Sequence, residues 1–275
     1  MLDKIQSFYG FTRMPYGRNL APGMLHQHAE HAQAAARIGY GIDTRGITII
    51  TGEVGVGKTV AARAALDRAD RTRYHLIYIA DPTVGARGVF HHIVTALGGR
   101  PSFHNATLVP QARDALAAEL SERGRTPVLL IDEGHLLSHD GLEAIRLLTN
   151  HDLDTGAPFA TILLGQPTLA TKMRLGVLAA LDQRVTVRHH MAGMTADETA
   201  GYIRHHLALV GRSDPIFSDD AINLIHTNSR GKPRSVNNLA IAALIAARAQ
   251  DKTFVDEASA RSAITETSDH PTASP

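Results

Sequence analysis

An octapeptide between an apolar run and an alanine-rich segment restricts the fold of this chain more than any other feature. It reads GEVGVGKT, residues 52–59, and fits the pattern G-x-x-x-x-G-K-[ST]. The preceding run, Ile47–Thr51, has the composition of a buried strand, and Lys58–Arg68 after it has helical periodicity. Glycines let such a loop curl so that its N–H groups converge, and a helix N-terminus adds a positive dipole. The order strand, loop, helix therefore predicts a site for phosphate groups.

The pattern also assigns roles to residues of the loop. Lys58 is placed to contact the β- and γ-phosphates of a nucleoside triphosphate, and the Thr59 hydroxyl to ligate Mg²⁺. The other residues of the loop that are predicted to bind the cofactor are Gly52, Glu53, Val54, Gly55, Val56 and Gly57. Val60, which follows the loop, is also predicted to bind it.

A second apolar run, Pro127–Glu133, ends in two acidic residues. An acid pair at the end of a buried strand is costly unless it binds a cation. Asp132 is therefore a predicted Mg²⁺ site residue that acts through water, and Glu133 is predicted to polarise the attacking water. Together with the loop, the pair predicts hydrolysis of the triphosphate.

Apolar segments alternate with helical segments over the first two thirds of the chain. The predicted strands are Ile47–Thr51, His75–Asp81, Pro127–Glu133, Phe159–Gln166 and Arg184–His190. The middle runs are almost continuously apolar, as parallel strands buried on both faces are. The alternation predicts an α/β fold with right-handed crossovers, covering residues 1–193 with an N-terminal extension. Residues 194–267 are predicted to form a helical lid, which begins with a Thr-x-x-Glu capping box, and residues 268–275 a disordered tail.

Three more polar residues are candidates for the site. Gln166 follows the fourth strand and could place an amide near the γ-phosphate, or serve only as a helix cap. Arg184 begins the fifth strand and could reach the nucleotide of a neighbouring subunit, with Arg188 as a competing candidate and a surface salt bridge as the alternative. Arg234 lies in the first turn of a lid helix, after Pro233, where it could couple the lid to the nucleotide or be an ordinary surface arginine.

These motifs, in this order, resemble those of AAA+ ATPases. The N-terminal FYGFTRMPYG and the LLGQP turn resemble the ExeA-type members in particular. The resemblance implies a three-layer α/β/α core with sheet order 5-1-4-3-2, ATP and Mg²⁺ as cofactors, and hydrolysis as the activity. It implies sensor roles for Gln166 and Arg234 and an arginine-finger role for Arg184. Tyr40 and Ile42 lie where adenine usually packs in the family.

The family resemblance leaves two functions open. ExeA-type proteins linked to secretion carry a transmembrane helix and a peptidoglycan-binding domain after the ATPase, and this sequence has neither. Short members resemble helpers of DNA transposition. The primary expectation is therefore a cytoplasmic ATPase that forms a homo-oligomer on double-stranded DNA and recruits a transposase. The alternative is a secretion or cell-envelope assembly ATPase.

Charge and composition limit the other classes of function. A net charge of +1 argues against a surface broadly adapted to nucleic acid, so any DNA contact is expected to be local and independent of sequence. The candidate cations are Arg87, Arg100, Arg113, Lys172 and Arg174. The absence of cysteine excludes disulfides and thiolate metal sites. The sixteen histidines show no metal-binding spacing.

Overall fold

Five parallel strands form one sheet in a computed structural model that describes residues 2–17, 22–70, 72–149 and 157–269. The strands are β1 (Ile47–Gly52), β2 (Tyr74–Ile79), β3 (Thr126–Ile131), β4 (Ala160–Gly165) and β5 (Val185–Met191). Their order is β2-β3-β4-β1-β5, and every neighbouring pair is parallel. This is the predicted order 5-1-4-3-2 read from the other edge. The predicted three-layer α/β/α fold is thereby confirmed.

The described residues contain twelve α-helices. They are α1 (Leu2–Tyr9), α2 (Ala29–Asp43), α3 (Lys58–Arg68), α4 (Gly85–Ala96), α5 (Asn105–Ser121), α6 (His139–Leu148), α7 (Pro167–Met173), α8 (Ala179–Asp182), α9 (Ala196–Ala208), α10 (Asp219–Ser229), α11 (Pro233–Ala249) and α12 (Glu257–Asp269). Strands β1 and β4 are buried at every position, whereas the edge strands β2 and β5 are partly exposed. Burial on both faces explains why the central strands read as unbroken apolar runs.

The chain divides into two compact units. The α/β unit comprises His31–Glu53 and Lys58–Met191, and the helical unit comprises the described residues of Met1–Glu30, Val54–Gly57 and Ala192–Pro275. The core of the α/β unit is built from aliphatic residues of the strands and of the helices between them. The helical unit has an apolar cluster of its own, to which both its N-terminal and its C-terminal segments contribute.

The N-terminal segment differs from its predicted place in a domain spanning residues 1–193. Ile5, Tyr9 and Phe11 are buried in the cluster of the helical unit. The Tyr9 hydroxyl donates a 2.8 Å hydrogen bond to the carbonyl of Leu244 on α11. The aromatic side chains of this segment are thus buried in one cluster with residues of the later helices of the same unit, because those helices offer the matching apolar face.

The C-terminal end of the helical unit also departs from the prediction. Helix α12 continues to Asp269, so residues 268 and 269, predicted as part of a disordered tail, are helical. Residues 270–275 of that predicted tail lie outside the described residues. The predicted capping box at the start of α9 is confirmed, since Thr195 and Glu198 each bond the backbone N–H of the other.

A buried carboxylate fastens three segments of the α/β unit. The Glu119 side chain is fully buried and contacts His75 at 2.8 Å, Arg123 at 2.7 Å and Arg125 at 2.6 Å. Burial alone would raise the pKa of Glu119, but the hydrogen bonds from Arg123 and His75 and the nearby positive charges outweigh it and lower that pKa. The charged form is therefore the one that stabilises the fold.

Replacing Glu119 with glutamine is expected to lower the free energy of unfolding by about 2–3 kcal/mol at neutral pH. Because the folded-state pKa is depressed, the contribution is present above the unfolded-state pKa and is lost as the pH falls below about 4. Urea unfolding of both proteins at neutral and acidic pH measures this difference. Glu122→Gln, an exposed substitution at the end of α5, is the matched control. A deficit that does not shrink in acid would contradict the role given to the charge.

Among the described residues, no helix combines the length and the apolar composition needed to cross a membrane.

Candidate nucleotide-binding site

The loop Gly52–Thr59 joins the end of β1 to the start of α3, as predicted. Gly55 has φ +86° and Gly57 has φ +99°, backbone conformations that side chains disfavour. At Gly55 an added Cβ would also lie 2.9 Å from the Cβ of Arg234, with which it shares the helical unit. The loop therefore depends on glycine at these two positions for its shape.

The Lys58 side chain folds back over the loop. It is 7% exposed, and its Nζ donates hydrogen bonds to the carbonyls of Gly52 at 2.8 Å and Glu53 at 3.1 Å. These contacts hold the ammonium at the mouth of the loop. A cation held in this way suits phosphate oxygens.

Thr59 and Asp132 meet although 73 positions separate them in the sequence. The Thr59 hydroxyl donates a 2.8 Å hydrogen bond to Asp132 Oδ2, and Asp132 Oδ1 accepts one from the Glu133 N–H at 2.9 Å. Asp132 is 8% exposed. A hydroxyl and a carboxylate side by side supply the oxygen ligands that Mg²⁺ prefers, so these residues fit the predicted ion.

Glu133 has the left-handed backbone conformation, with φ +49°. Such a conformation costs a non-glycine residue about 1–2 kcal/mol and often occurs at functional sites. Its side chain is 48% exposed, and Oε2 lies 3.4 Å from Nδ1 of His135. Glu133 thus presents a solvent-accessible carboxylate directly after Asp132.

Gln166 directly follows β4 and forms the N-cap residue of α7. Strand β4 pairs in parallel with both β1 and β3, so Gln166 lies with Gly52 and Asp132 at the carboxyl ends of the strands. Its side chain makes no capping hydrogen bond to α7, and its backbone N–H approaches His135 Nδ1 at 3.5 Å. The carboxyl ends of these strands thus bring together the start of the loop, the acid pair and Gln166.

Arg184 and its competitor Arg188 lie elsewhere. Arg184 precedes β5, whose first residue pairs with Ile47. Arg184 therefore lies at the amino ends of the strands, whereas Gly52 lies at their carboxyl ends. Its Nη1 donates a 2.9 Å hydrogen bond to the Thr149 hydroxyl, and the competing Arg188 pairs with Asp182 at 2.9 Å. Arg184 is therefore remote from the loop of its own chain, as a residue acting on a neighbouring subunit would be.

Arg234 lies in the first turn of α11 and is exposed. Its backbone N–H donates a 3.3 Å hydrogen bond to the carbonyl of Gly55, which belongs to the same unit. Of the two residues predicted near adenine, Tyr40 is 57% exposed and Ile42 only 2% exposed. Only Tyr40 offers appreciable surface to a ligand.

Three residues near the acid pair were not predicted to belong to this site. Burial and then the charge of Asp132, with a hydrogen bond to it, raise the pKa of the Tyr78 hydroxyl. His135 lies between Glu133 and Gln166. Lys172, predicted as a DNA-contacting cation, instead donates hydrogen bonds to the carbonyls of His135 and Leu137 at 2.6 and 2.7 Å. The histidine in DEGH, residues 132–135, is the sequence signal for this cluster.

Comparison with known proteins places this geometry in a family. Residues 42–173 match the family described as "AAA domain". That segment contains the glycine-rich loop, Asp132, Glu133 and Gln166. The chain contains an AAA-type P-loop ATPase domain. Nucleotide hydrolysis with ATP and Mg²⁺ is general among such domains, and the residues that fit both cofactors lie within the matched segment.

A curated relative extends the similarity beyond that domain. The chain is 34% identical over 247 residues to "General secretion pathway protein A" of Aeromonas hydrophila, an ExeA-type protein. The alignment covers 88% of this chain but 45% of the relative, so the chain spans less than half of that protein's length. The predicted ExeA resemblance is confirmed, and the similarity lends no support to the transposition role.

Solved structures share the fold at low sequence identity. Cdc6p from Pyrobaculum aerophilum has a TM-score of 0.66 and 16% identity, over 95% of this chain and 70% of that one. The Aeropyrum pernix ORC1 protein, in complex with DNA, has a TM-score of 0.64 and 17% identity, over 89% and 67%. The Thermotoga maritima RuvB branch migration motor has a TM-score of 0.55 and 17% identity, over 86% and 68%. These similarities show the fold alone.

Proposed function

We propose that the chain binds ATP with Mg²⁺ at the loop Gly52–Thr59 and hydrolyses it. The observation that carries the proposal is the 2.8 Å contact between Thr59 and Asp132 beside an ammonium held at the mouth of the loop. Loop N–H groups and Lys58 would bind the phosphates, while Thr59 and Asp132 would hold the ion. Bound Mg²⁺ would neutralise charge on the β- and γ-phosphate oxygens.

The remaining residues supply the chemistry and its control. Glu133 orients and polarises the attacking water, and its exposed carboxylate supports that role. The Gln166 side-chain amide contacts the γ-phosphate from the end of β4. Arg234 couples the helical unit to the nucleotide, since its backbone already bonds the loop at Gly55.

The proposed active form is a homo-oligomer in which Arg184 of one copy completes the site of the next. The support is that Arg184 lies at the amino ends of the strands, whereas the loop begins at the carboxyl end of β1. Its Nη1 lies 2.9 Å from the Thr149 hydroxyl of its own chain. A guanidinium that stabilises charge in the transition state can raise the rate about 10³–10⁵-fold. Nucleotide state would then control how long the assembly lasts.

A mixing experiment tests the shared site. Arg184→Ala retains an intact loop, and Glu133→Gln retains an intact arginine, so each variant alone is expected to be nearly inactive. Mixed in equal amounts, they should regain a substantial fraction of wild-type phosphate release, because some sites combine an intact Glu133 with a neighbour's Arg184. Arg188→Ala is the control that tests the competing arginine. Arg184→Ala at the wild-type rate, or a mixture no faster than its parts, would argue against a shared site.

For the biological role, we propose a secretion or cell-envelope assembly ATPase. The similarity to the Aeromonas protein over 88% of this chain supports it. The expectation of a transposition helper rested on a membrane segment missing from the sequence, and an absence does not identify a partner. Recruitment of a transposase and assembly on double-stranded DNA are therefore the second candidate.

The second candidate has one specific point in its favour: the ORC1 structure of the same fold contains DNA. Two of the proposed DNA-contacting cations are already engaged, since Arg87 bonds the Phe103 carbonyl at 2.8 Å and Lys172 bonds two carbonyls. Arg100, Arg113 and Arg174 remain candidates.

Fluorescence anisotropy with duplex DNA and a non-hydrolysable ATP analogue separates the two roles. The secretion role predicts no nucleotide-dependent rise in anisotropy. A rise that salt abolishes and that Arg174→Ala weakens would instead support the transposition role, because phosphate contacts release counterions. Electron microscopy of the same sample would reveal rings or filaments on the DNA in that case.

A further inference from the structure

His135 lies between the two residues proposed to sense and to use the γ-phosphate. Its Nδ1 is 3.4 Å from Glu133 Oε2 and 3.5 Å from the backbone nitrogen of Gln166. The imidazole is 12% exposed, so water reaches only a small part of it. One ring nitrogen thus faces both a carboxylate and an N–H group.

That nitrogen cannot serve both neighbours at once. To accept a hydrogen bond from the Gln166 N–H, Nδ1 must carry a lone pair, and the ring proton must lie on Nε2. To donate to the Glu133 carboxylate, Nδ1 must itself carry the proton. The two contacts therefore exclude each other, and the position of one proton selects between them.

The backbone around the imidazole is fixed. Lys172 on α7 donates hydrogen bonds to the carbonyls of His135 and Leu137 and so fastens the turn after Glu133. The end of β4 packs closely on that turn: a Cβ at Gly165 would lie 3.2 Å from the His135 nitrogen, and one at Gly134 3.2 Å from the Leu164 carbonyl oxygen. The freedom that remains lies in side chains, in the ring proton and in small shifts at Gln166.

We propose that His135 is a positioning residue that couples Gln166 to Glu133. While the Gln166 N–H bonds Nδ1, that nitrogen has no proton to donate to Glu133, and the ring does not hold the carboxylate. When the Gln166 side chain engages a γ-phosphate, the backbone N–H of Gln166 shifts away from Nδ1 of His135. Nε2 then gives its proton to water, and Nδ1 takes one from water. The Nδ1–H then donates to Glu133 and fixes the carboxylate for its task, with no net change of charge.

This inference rests on the proposed hydrolysis, but it can be tested without turnover. The probe is the nitrogen-15 spectrum of the histidine rings at about pH 8, where free imidazoles are neutral. Subtracting the spectrum of His135→Asn assigns the His135 signals. In the protein without nucleotide we expect an unprotonated Nδ1, and with Mg²⁺, ADP and beryllium fluoride, which imitates the γ-phosphate, a protonated Nδ1. The same tautomer in both states would overturn the coupling.

A pair of Gln166 variants tests the first contact without any nucleotide. Gln166→Ala retains the backbone N–H, and Gln166→Pro removes it; the residue's φ of −73° suits proline. We expect Nδ1 to stay unprotonated in the alanine variant and to gain the proton in the proline variant. Identical tautomers in the two variants would contradict the contact, provided that both melt at the wild-type temperature.

Kinetics provide the second readout. His135→Leu should lower kcat about 10–100-fold with KM within about twofold, since it removes positioning but not binding. His135→Asn should recover part of the loss, because an amide can both accept and donate. Gln166→Ala should cost little more in the leucine background. If wild-type protein releases phosphate and His135→Leu matches it, the inference alone fails; if wild type releases none, the proposed function fails, and the tautomers still decide the inference.

Discussion

Replacing Lys58 with alanine is expected to lower the affinity for ATP about 100-fold or more. Lys58 is the buried cation at the mouth of the loop, and its Nζ lies within 3.1 Å of the carbonyls of Gly52 and Glu53. A charged hydrogen bond contributes about 1.5–3 kcal/mol, and Lys58 is proposed to contact two phosphates. Every 1.4 kcal/mol lost weakens binding tenfold. Calorimetric titration with ATP and Mg²⁺ measures the loss.

Two further variants make that result interpretable. Lys58→Met retains most of the side-chain volume, so it separates the lost charge from a collapsed loop; we expect it to bind as weakly as the alanine variant. Lys4→Ala removes an exposed lysine of α1 and should bind ATP like the wild type. Wild-type affinity in both Lys58 variants would remove the basis for assigning the loop to nucleotide binding.

Replacing Glu133 with glutamine is expected to separate binding from hydrolysis. The amide retains the size of the side chain but cannot accept a proton from water. General-base catalysis contributes about 10²–10⁴-fold, so kcat should fall by that factor while ATP affinity stays within about threefold. Because Glu133 is 48% exposed in its side chain, the substitution should leave stability nearly unchanged.

Steady-state phosphate release and ATP titration on the same preparation test this separation. Glu122→Gln, which changes an exposed carboxylate in the same way, should hydrolyse ATP at the wild-type rate. Equally slow turnover of wild type and Glu133→Gln would mean that the domain binds nucleotide without hydrolysing it at a useful rate. A rapid Glu133→Gln would mean that another group activates the water.

Much of the α/β unit could be predicted because its signals are local. The apolar runs that form β1, β3 and β4 mark strands buried on both faces, and the motif after β1 fixes which strand carries the loop. The approach of Thr59 to Asp132 was also predictable, since both follow the carboxyl ends of strands in one parallel sheet. The sheet order itself came from the family resemblance, because periodicity does not specify which strands are neighbours.

Contacts between distant segments could not be predicted in the same way. The place of Tyr9 against α11 depends on an apolar face formed only when the helical unit folds. The sequence marks His135 only by its place two residues after Glu133, and its contact with Gln166 arises from the approach of β4 to that turn. Lys172 reads as a surface cation, yet two backbone carbonyls attract its ammonium. The deciding partner lies far away in the chain in each case, 235 positions for Tyr9, 31 for His135 and 35 or 37 for Lys172.

Single-turnover hydrolysis of γ-labelled ATP, with protein in excess, is the decisive test of the ATPase site. We expect wild-type protein to release labelled phosphate only when Mg²⁺ is present. We expect Glu133→Gln to retain the bound ATP intact and Lys58→Ala neither to bind nor to cleave it. Release from Lys58→Ala at the wild-type rate, or no release from wild type at any protein concentration, would contradict an ATPase site built from Lys58, Thr59, Asp132 and Glu133.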